Sequence, residues 1–280
     1  MPLDYQQLLG ELVRAWERGD PRLMAAVLAF GSAVLYAMAC NLAVSYRILF
    51  PVRISNEIQR IAVNPAGRVV YHLLLLAYYL GIPFLALLFG WLDLRALGLT
   101  LLDWADGVRW AIVLALACWS LLMFVWVPYL RATPGVRGVG RGELQHWARR
   151  IVQVVYMQAH WAYYRATAIL ILLSIADDDR ALYWGACTGL VLVAAEAWSD
   201  PRVRRGVARV GRGEQALWNA GQVVINTVGF VLTRNAWILI LLHLALEFTV
   251  PHLRPAAPPA AVPALAARPA ATPSRNAPGA

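Results

Sequence analysis

Residues 23–44 read LMAAVLAFGSAVLYAMACNLAV, an apolar run that only Ser32 and Asn41 interrupt. An α-helix needs about 20 apolar residues to cross the hydrocarbon core of a bilayer. The whole chain of 280 residues has the same character: 60% of its residues are hydrophobic and 15% are charged, with a mean hydropathy of +0.55. Since soluble proteins carry about 25% charged residues, we expect an integral membrane protein.

The composition also excludes several classes of protein. Three cysteines are too few for a disulfide scaffold, and an apolar chain of this kind is not disordered over most of its length. The net charge of +9 does not outweigh the apolar composition, so we expect the lipid bilayer and not nucleic acid as the partner. All 25 basic residues are Arg, which removes any mechanism that uses a catalytic lysine.

Apolar runs of membrane-spanning length recur along the chain. They predict an all-α, polytopic transmembrane bundle of about seven or eight membrane helices. The seven predicted spans are 23–45, 69–92, 109–130, 150–175, 181–199, 215–233 and 235–251.

Arginine alternates between the loops. The segments 46–68, 131–149 and 200–214 are rich in Arg, whereas the intervening turns are poor in it and one carries Asp177, Asp178 and Asp179. Arginine is enriched on the cytoplasmic side of membrane proteins. This pattern predicts a multi-pass protein of the cell membrane with a cytoplasmic C-terminus.

Three regions follow from the hydrophobic pattern. In residues 1–22 the apolar residues recur at helical spacing opposite charged ones, which predicts an amphipathic helix at the membrane interface. Residues 23–251 form the transmembrane domain. Residues 252–280 are rich in Pro and Ala without a hydrophobic period, and we expect them to be disordered.

Ionisable residues inside the predicted spans are the candidates for chemistry, because they are costly in hydrocarbon and usually face the bundle interior. His160, Glu196, His243 and Glu247 come from three spans and are predicted to converge in the cytoplasmic half, with the two histidines at one level and the two glutamates at a shallower one. They are the candidate catalytic residues, and two histidines with two carboxylates could instead bind a divalent metal.

Four further polar residues are predicted to support this site. Arg165 is expected to pair with a carboxylate or to cap carbonyl groups. The other three recur three and four residues apart on one helical face and are expected to form interhelical hydrogen bonds. They are Asn219, Gln222 and Asn226.

Residues 90–250 resemble the CPBP family of intramembrane proteases, which includes the CAAX prenyl endopeptidases and bacteriocin-immunity proteins. The resemblance lies in three stretches, given in order along the chain. They are Leu94-Arg95-Ala96-Leu97-Gly98-Leu99 before the third span, Ala162-Tyr163-Tyr164-Arg165-Ala166 at the end of a Glu-Glu-x-x-x-Arg-Gly motif, and Thr233-Arg234-Asn235-Ala236-Trp237 leading into an apolar helix that carries His243.

The chain departs from the family at the residues that matter most. His160 and Trp161 stand where the family has its Glu pair, whose first member is thought to activate water, and Glu196 stands where the family has His. Glu247 replaces an Asn. The resemblance therefore implies a CPBP-type fold with the glutamate and the histidine exchanged between two spans.

Three functions stay open at the level of the sequence. The first is an intramembrane endopeptidase that hydrolyses membrane-associated peptides, or a non-catalytic homologue of one. The second is a non-enzymatic subunit or assembly factor of a membrane complex, and the third is a small transporter. Hydrolysis requires a water-activating base in a polar pocket, whereas a subunit requires only paired polar groups and an apolar outer surface.

The loop assignment predicts the outcome of cysteine labelling. Single cysteines placed in 46–68, 131–149 or 200–214 should react with a membrane-impermeant thiol reagent only after the cells are opened, because these loops face the cytoplasm. Cysteines in the turn after the fourth span should react in intact cells. Labelling of 131–149 from outside would overturn the orientation.

Overall fold

The computed structural model describes residue 10 and residues 13–100, 104–132, 144–207 and 212–253. Within these ranges the chain is all-helical, without a strand. Of the predicted interfacial helix, residues 13–17 are helical and most of the remainder lies outside the described residues; the predicted tail lies outside them from residue 254 onward.

Eleven α-helices can be delimited in the described ranges. They are α1 Pro21–Leu49, α2 Val52–Val63, α3 Pro65–Leu76, α4 Ile82–Leu88, α5 Trp104–Leu121, α6 Val127–Ala132, α7 Leu144–Leu172, α8 Asp178–Ser199, α9 Pro201–Val207, α10 Arg212–Thr233 and α11 Ala236–Leu253.

Five helical stretches in the described ranges are long and apolar enough to cross a membrane. They are Pro21–Tyr46, Pro65–Leu88, Trp104–Tyr129, Asp178–Ser199 and Gly213–Thr233. The sequence predicts seven spans. The other two, 150–175 and 235–251, fall on α7, which is not among the five, and on α11, whose apolar stretch Ala236–Thr249 is shorter.

Helix α7 lies at the centre of the bundle. It packs against α1, α4, α8 and α11, and its contact with α8 is the most extensive in the described structure. Its buried residues include Gln158, His160, Arg165 and Thr167. The polar residues that lower its hydropathy therefore face other helices, whereas large apolar side chains such as Phe30 and Phe124 point outward from α1 and from the stretch before α6.

Two glycines allow α7 and α8 to approach closely. A Cβ atom on Gly189 would lie 2.7 Å from the Cα of Arg165, and one on Gly185 would lie 2.7 Å from the Cα of Ile169. Small residues four apart permit such backbone contact between membrane helices. The contact pairs residue 165 with 189 and residue 169 with 185, which fixes the antiparallel register of α7 against α8.

A short π-helical turn, Ala77–Gly81, joins α3 to α4, and a second one, Leu122–Trp126, joins α5 to α6. A proline follows each turn: Pro83 and Pro128. Proline lacks the N–H that would bond to the carbonyl four residues earlier, so the regular α-helical ladder is interrupted there. The first turn packs against α7 and carries Tyr78 and Tyr79.

The loop before α5 is joined to the start of α11. The N–H of Ala236 donates to the carbonyl oxygen of Gly98 at 2.7 Å. Gly98 has a φ of +73°, and a Cβ there would lie 2.7 Å from Cε2 of Phe230, so only glycine fits. The side chain of Asn235 caps α11 by accepting from the N–H groups of Trp237 and Ile238. The segment 94–99 and the segment 233–237 thus contact each other.

The close approach of α7 and α8 predicts that Gly189→Ala destabilises the protein by about 1–3 kcal/mol, because the added methyl group forces two backbones apart. Gly221→Ala is the matched control. Gly221 lies in α10, and beyond its own helical turn and chain neighbours no atom lies within 4 Å of the position that its added methyl group would take. This change should stabilise its helix by at most about 1 kcal/mol. Thermal unfolding in detergent measures both; equal effects would contradict the close contact.

Candidate functional site in the polar centre

The first polar network joins α7, α8 and the π-helical turn. Nε2 of His160 lies 2.7 Å from Oε2 of Glu196, and the hydroxyl of Tyr78 donates to Oε1 of the same carboxylate at 2.7 Å. His160 is 3% exposed and Glu196 is 8% exposed. Both carboxylate oxygens therefore have a partner in the bundle interior.

Aromatic rings surround the His160 imidazole. Its centroid lies 4.9 Å from that of Tyr78, 5.1 Å from that of Tyr79 and 4.6 Å from that of Tyr164. These contacts fix the plane of the imidazole. Its second nitrogen, Nδ1, is buried and has no hydrogen-bond partner among the described residues.

The partners of His160 determine which nitrogen carries its proton. When Glu196 is ionised, its carboxylate only accepts hydrogen bonds, and Nε2 is then the donor toward it. In the neutral imidazole the remaining nitrogen, Nδ1, then has a free lone pair. A carboxylate that orients a histidine in this way leaves the other nitrogen able to accept a proton.

The second network joins α7, α10 and α11. The amide nitrogen of Gln158 donates to Oδ1 of Asn226 at 2.7 Å and lies 2.9 Å from Nδ1 of His243. Because the amide nitrogen is a donor, Nδ1 of His243 accepts, and Nε2 of this imidazole carries the hydrogen. The ring of His243 stacks on Trp161 with 5.6 Å between centroids.

Glu247 is held separately from the two histidines. Nε and Nη2 of Arg150 donate to its two carboxylate oxygens at 2.8 and 3.1 Å, and the indole N–H of Trp218 donates to Oε1 at 2.8 Å. Nε2 of His243 lies 3.8 Å from Oε1, which is too long for a hydrogen bond. The Arg150 pair ties the start of α7 to the end of α11.

The four candidate residues therefore form two groups instead of one. His160 contacts Glu196, and His243 lies beside Glu247. The sequence predicts the two histidines at one depth and the two glutamates at a shallower one, whereas in the structure each histidine lies next to a glutamate. No hydrogen bond or ring contact joins His160 to His243 in the described structure. The metal alternative also lacks support, because no group of three or more His, Cys, Asp or Glu in the described ranges could hold a metal ion.

The four predicted supporting residues have four different environments. Asn226 makes the interhelical hydrogen bond to Gln158. Gln222 is buried, yet its side-chain amide has no partner among the described residues. Asn219 is exposed and accepts from Gln215 on its own helix. Arg165 lies over the ring of Phe230 and forms none of the carboxylate pairs expected from the sequence within the described ranges.

Several residues of these networks were not predicted from the sequence. Gln158 precedes His160 by two residues, and Tyr78 lies five residues before Pro83. A proline in an apolar span signals an irregular turn, and irregular turns often occur at functional sites. The Gly185-x-x-x-Gly189 spacing, which is typical of closely packed membrane helices, was likewise visible in the sequence.

No family model, curated protein or solved structure matches this chain.

A double-mutant cycle should detect the His160–Glu196 contact. Replacing either residue by Ala leaves a buried polar partner, and the two losses should not add; we expect a coupling of about 1–3 kcal/mol in the free energy of unfolding. The control cycle pairs His160→Ala with Glu247→Ala and should be additive to within about 0.5 kcal/mol. An additive first cycle would show that the contact contributes nothing.

Proposed function

We propose that this protein is a membrane-embedded hydrolase of the CPBP type that cleaves membrane-associated peptides. The observation that supports the proposal is the His160–Glu196 pair: a buried imidazole held by a carboxylate at 2.7 Å, with Nδ1 unengaged among the described residues. This arrangement matches a general base and the group that orients it.

In the proposed reaction, Nδ1 of His160 removes a proton from water as the water oxygen attacks the peptide carbonyl carbon. Glu196 stabilises the resulting imidazolium through Nε2, and Tyr78 holds the carboxylate in position. The imidazolium then gives the proton from Nδ1 to the leaving amine as the C–N bond breaks. Tyr164, whose hydroxyl is buried without a partner in the described structure, is the candidate donor to the oxyanion.

The pair also fits the resemblance to the CPBP family. His160 stands at the first position of the family's Glu pair and Glu196 at the position of its histidine. If the two residue types were exchanged during evolution, their side chains must still meet, and they lie in direct contact. The exchange keeps one imidazole and one carboxylate at the same crossing of α7 and α8.

The proposed topology has seven crossings, with α7 and α11 added to the five long apolar stretches. The Arg-rich segments 46–68, 131–149 and 200–214 and the C-terminus lie in the cytoplasm. Support comes from the alternation of Arg between loops and from the central position of α7. This topology places His160 and Glu196 in the cytoplasmic half of the bilayer.

One observation favours a second candidate, a non-enzymatic subunit of a membrane complex. Gln158 contacts His243 of the last span, and Arg150 and Trp218 hold Glu247; none of these contacts reaches His160. The His160 and His243 side chains of the two networks would then only hold α7 to its neighbours. The large apolar side chains on the outer faces of the helices would serve as docking surfaces as well as lipid contacts.

His160→Gln separates the two candidates. Glutamine can still donate to Glu196 but has no basic nitrogen, so the variant should fold as the unsubstituted protein does and lose about 100-fold or more in cleavage rate. The assay uses purified protein in liposomes with a library of membrane-anchored peptides, with products identified by mass spectrometry. His243→Gln is the matched control and should retain most of the activity.

Two results would count against hydrolysis. Cleavage by His160→Gln at the unsubstituted rate would remove His160 from the reaction. The absence of any product across the library, with His160→Gln and the unsubstituted protein equally stable, would favour the non-enzymatic subunit.

A further inference from the structure

Helix α2, Val52–Val63, carries an apolar face that the described structure leaves uncovered. Ile54, Ile58 and Ile61 are 47%, 38% and 63% exposed, and their spacing of four and three residues puts them on one side of the helix. Within α2 only Ser55 is buried. Among the described helices, α2 packs mainly against α1 and α3, its two neighbours in the chain.

The opposite side of α2 is polar and basic. Its side chains are those of Arg53, Asn56, Glu57 and Arg60. Nη1 of Arg60 lies 3.9 Å from Oε1 of Glu57, an exposed ion pair of the kind that contributes little to stability. The segment 46–68 as a whole holds four Arg and only one acidic residue, Glu57. The helix therefore separates a face of isoleucines from a face in a positively charged segment.

Both ends of α2 are fastened to candidate membrane spans, because α1 and α3 each belong to a stretch long and apolar enough to cross a bilayer. At the start, Oγ of Ser55 donates to the carbonyl oxygen of Phe50 at 3.2 Å. At the end, the side chain of Asn64 caps α3, and a Cβ atom on Gly67 would clash with the carbonyl oxygen of Ile61. These contacts hold α2 where two spans emerge, at a membrane surface.

The length of α2 excludes a crossing of the bilayer. Its 12 residues extend about 18 Å, whereas the hydrocarbon core is roughly 30 Å thick. An upright orientation in the bilayer would also bring the charged side of the helix into hydrocarbon, which is costly. A flat orientation lets the isoleucines enter the apolar region while the long arginine side chains reach the headgroups.

We propose that α2 lies flat in the membrane interface, with Ile54, Ile58 and Ile61 among the acyl chains and with Arg53 and Arg60 bound to the headgroups of anionic lipids. Basic segments next to membrane helices are attracted to anionic lipid surfaces. The proposed topology places α2 at the cytoplasmic leaflet, whose surface is negatively charged. This interaction does not depend on the proposed hydrolysis.

Spin labels on the full-length protein in lipid nanodiscs test the orientation. Ile58→Cys carries the label on the apolar face, and Asn56→Cys carries it on the polar face as the matched control. The label at residue 58 should be relaxed more by oxygen, which concentrates in the acyl chains, than by a water-soluble nickel chelate, and the label at residue 56 should show the reverse. The signal of the labelled unsubstituted protein is subtracted to remove the contribution of its own cysteines, Cys40, Cys118 and Cys187.

Two results with the labels would overturn the proposal. Equal access of nickel to residues 56 and 58 would place the apolar face in water. Shielding of residue 58 from both oxygen and nickel would show that protein covers this face, either another segment of the chain, a second copy or a partner.

Thermal unfolding in nanodiscs of two compositions tests the preference for anionic lipids. The Tm of the unsubstituted protein should be several degrees higher in phosphatidylcholine with added phosphatidylglycerol than in phosphatidylcholine alone. The double variant Arg53→Gln with Arg60→Gln should lose a large part of this gain. Arg180→Gln with Arg234→Gln is the matched control and should keep the gain, because each of these exposed arginines already pairs with an aspartate. A Tm that does not depend on the lipid, or an equal loss in both double variants, would contradict the proposed headgroup contact.

Discussion

The most extensive helix contact in the described structure depends on two residues without side chains. Gly185 and Gly189 bring the backbone of α8 against Ile169 and Arg165 of α7. The antiparallel register that results places residue 194 opposite His160, so Glu196 lies within one turn of the imidazole. Because the imidazole of His160 is buried, the position of α8 decides whether it finds a carboxylate partner.

Hydrocarbon offers no hydrogen bonds, so buried polar groups of a membrane protein must be satisfied by one another. The two networks do this for Glu196 and Gln158, and Arg150 does it for Glu247. Other groups on the same helices have no partner in the described structure, among them Nδ1 of His160 and Nε2 of His243. Buried polar groups without a partner are uncommon in protein interiors.

Hydrophobic pattern and residue type were enough to predict the helical class and the burial of the candidate residues. Runs such as 23–44 indicate membrane helices by length alone, and His160, Glu196, His243 and Glu247 are all buried, as expected for ionisable residues within spans. The number of spans was harder to assign. The middle of helix α7 carries polar residues because other helices pack against it, and these residues lower its hydropathy below that of a lipid-facing span.

The distance of each residue from the membrane surface, counted along its helix, does not predict which candidate residues pair. Depth places His160 with His243, but helix rotation turns the two side chains toward different neighbours. A one-residue step rotates a helical side chain by about 100°, so Trp161 faces His243 while His160 faces α8. The π-helical turn before Pro83 brings Tyr78 to Glu196. Because this turn does not follow the α-helical period, helical spacing in the sequence does not predict the contact.

Nitrogen NMR tests most directly whether Glu196 holds His160 with Nδ1 unprotonated. With ¹⁵N-labelled histidine, the resonances that disappear in His160→Gln belong to this residue. We expect a neutral ring protonated at Nε2, with a strongly hydrogen-bonded proton that shifts in Glu196→Ala. A His160 ring protonated at Nδ1, or one whose resonances are the same with and without the Glu196 carboxylate, would contradict it.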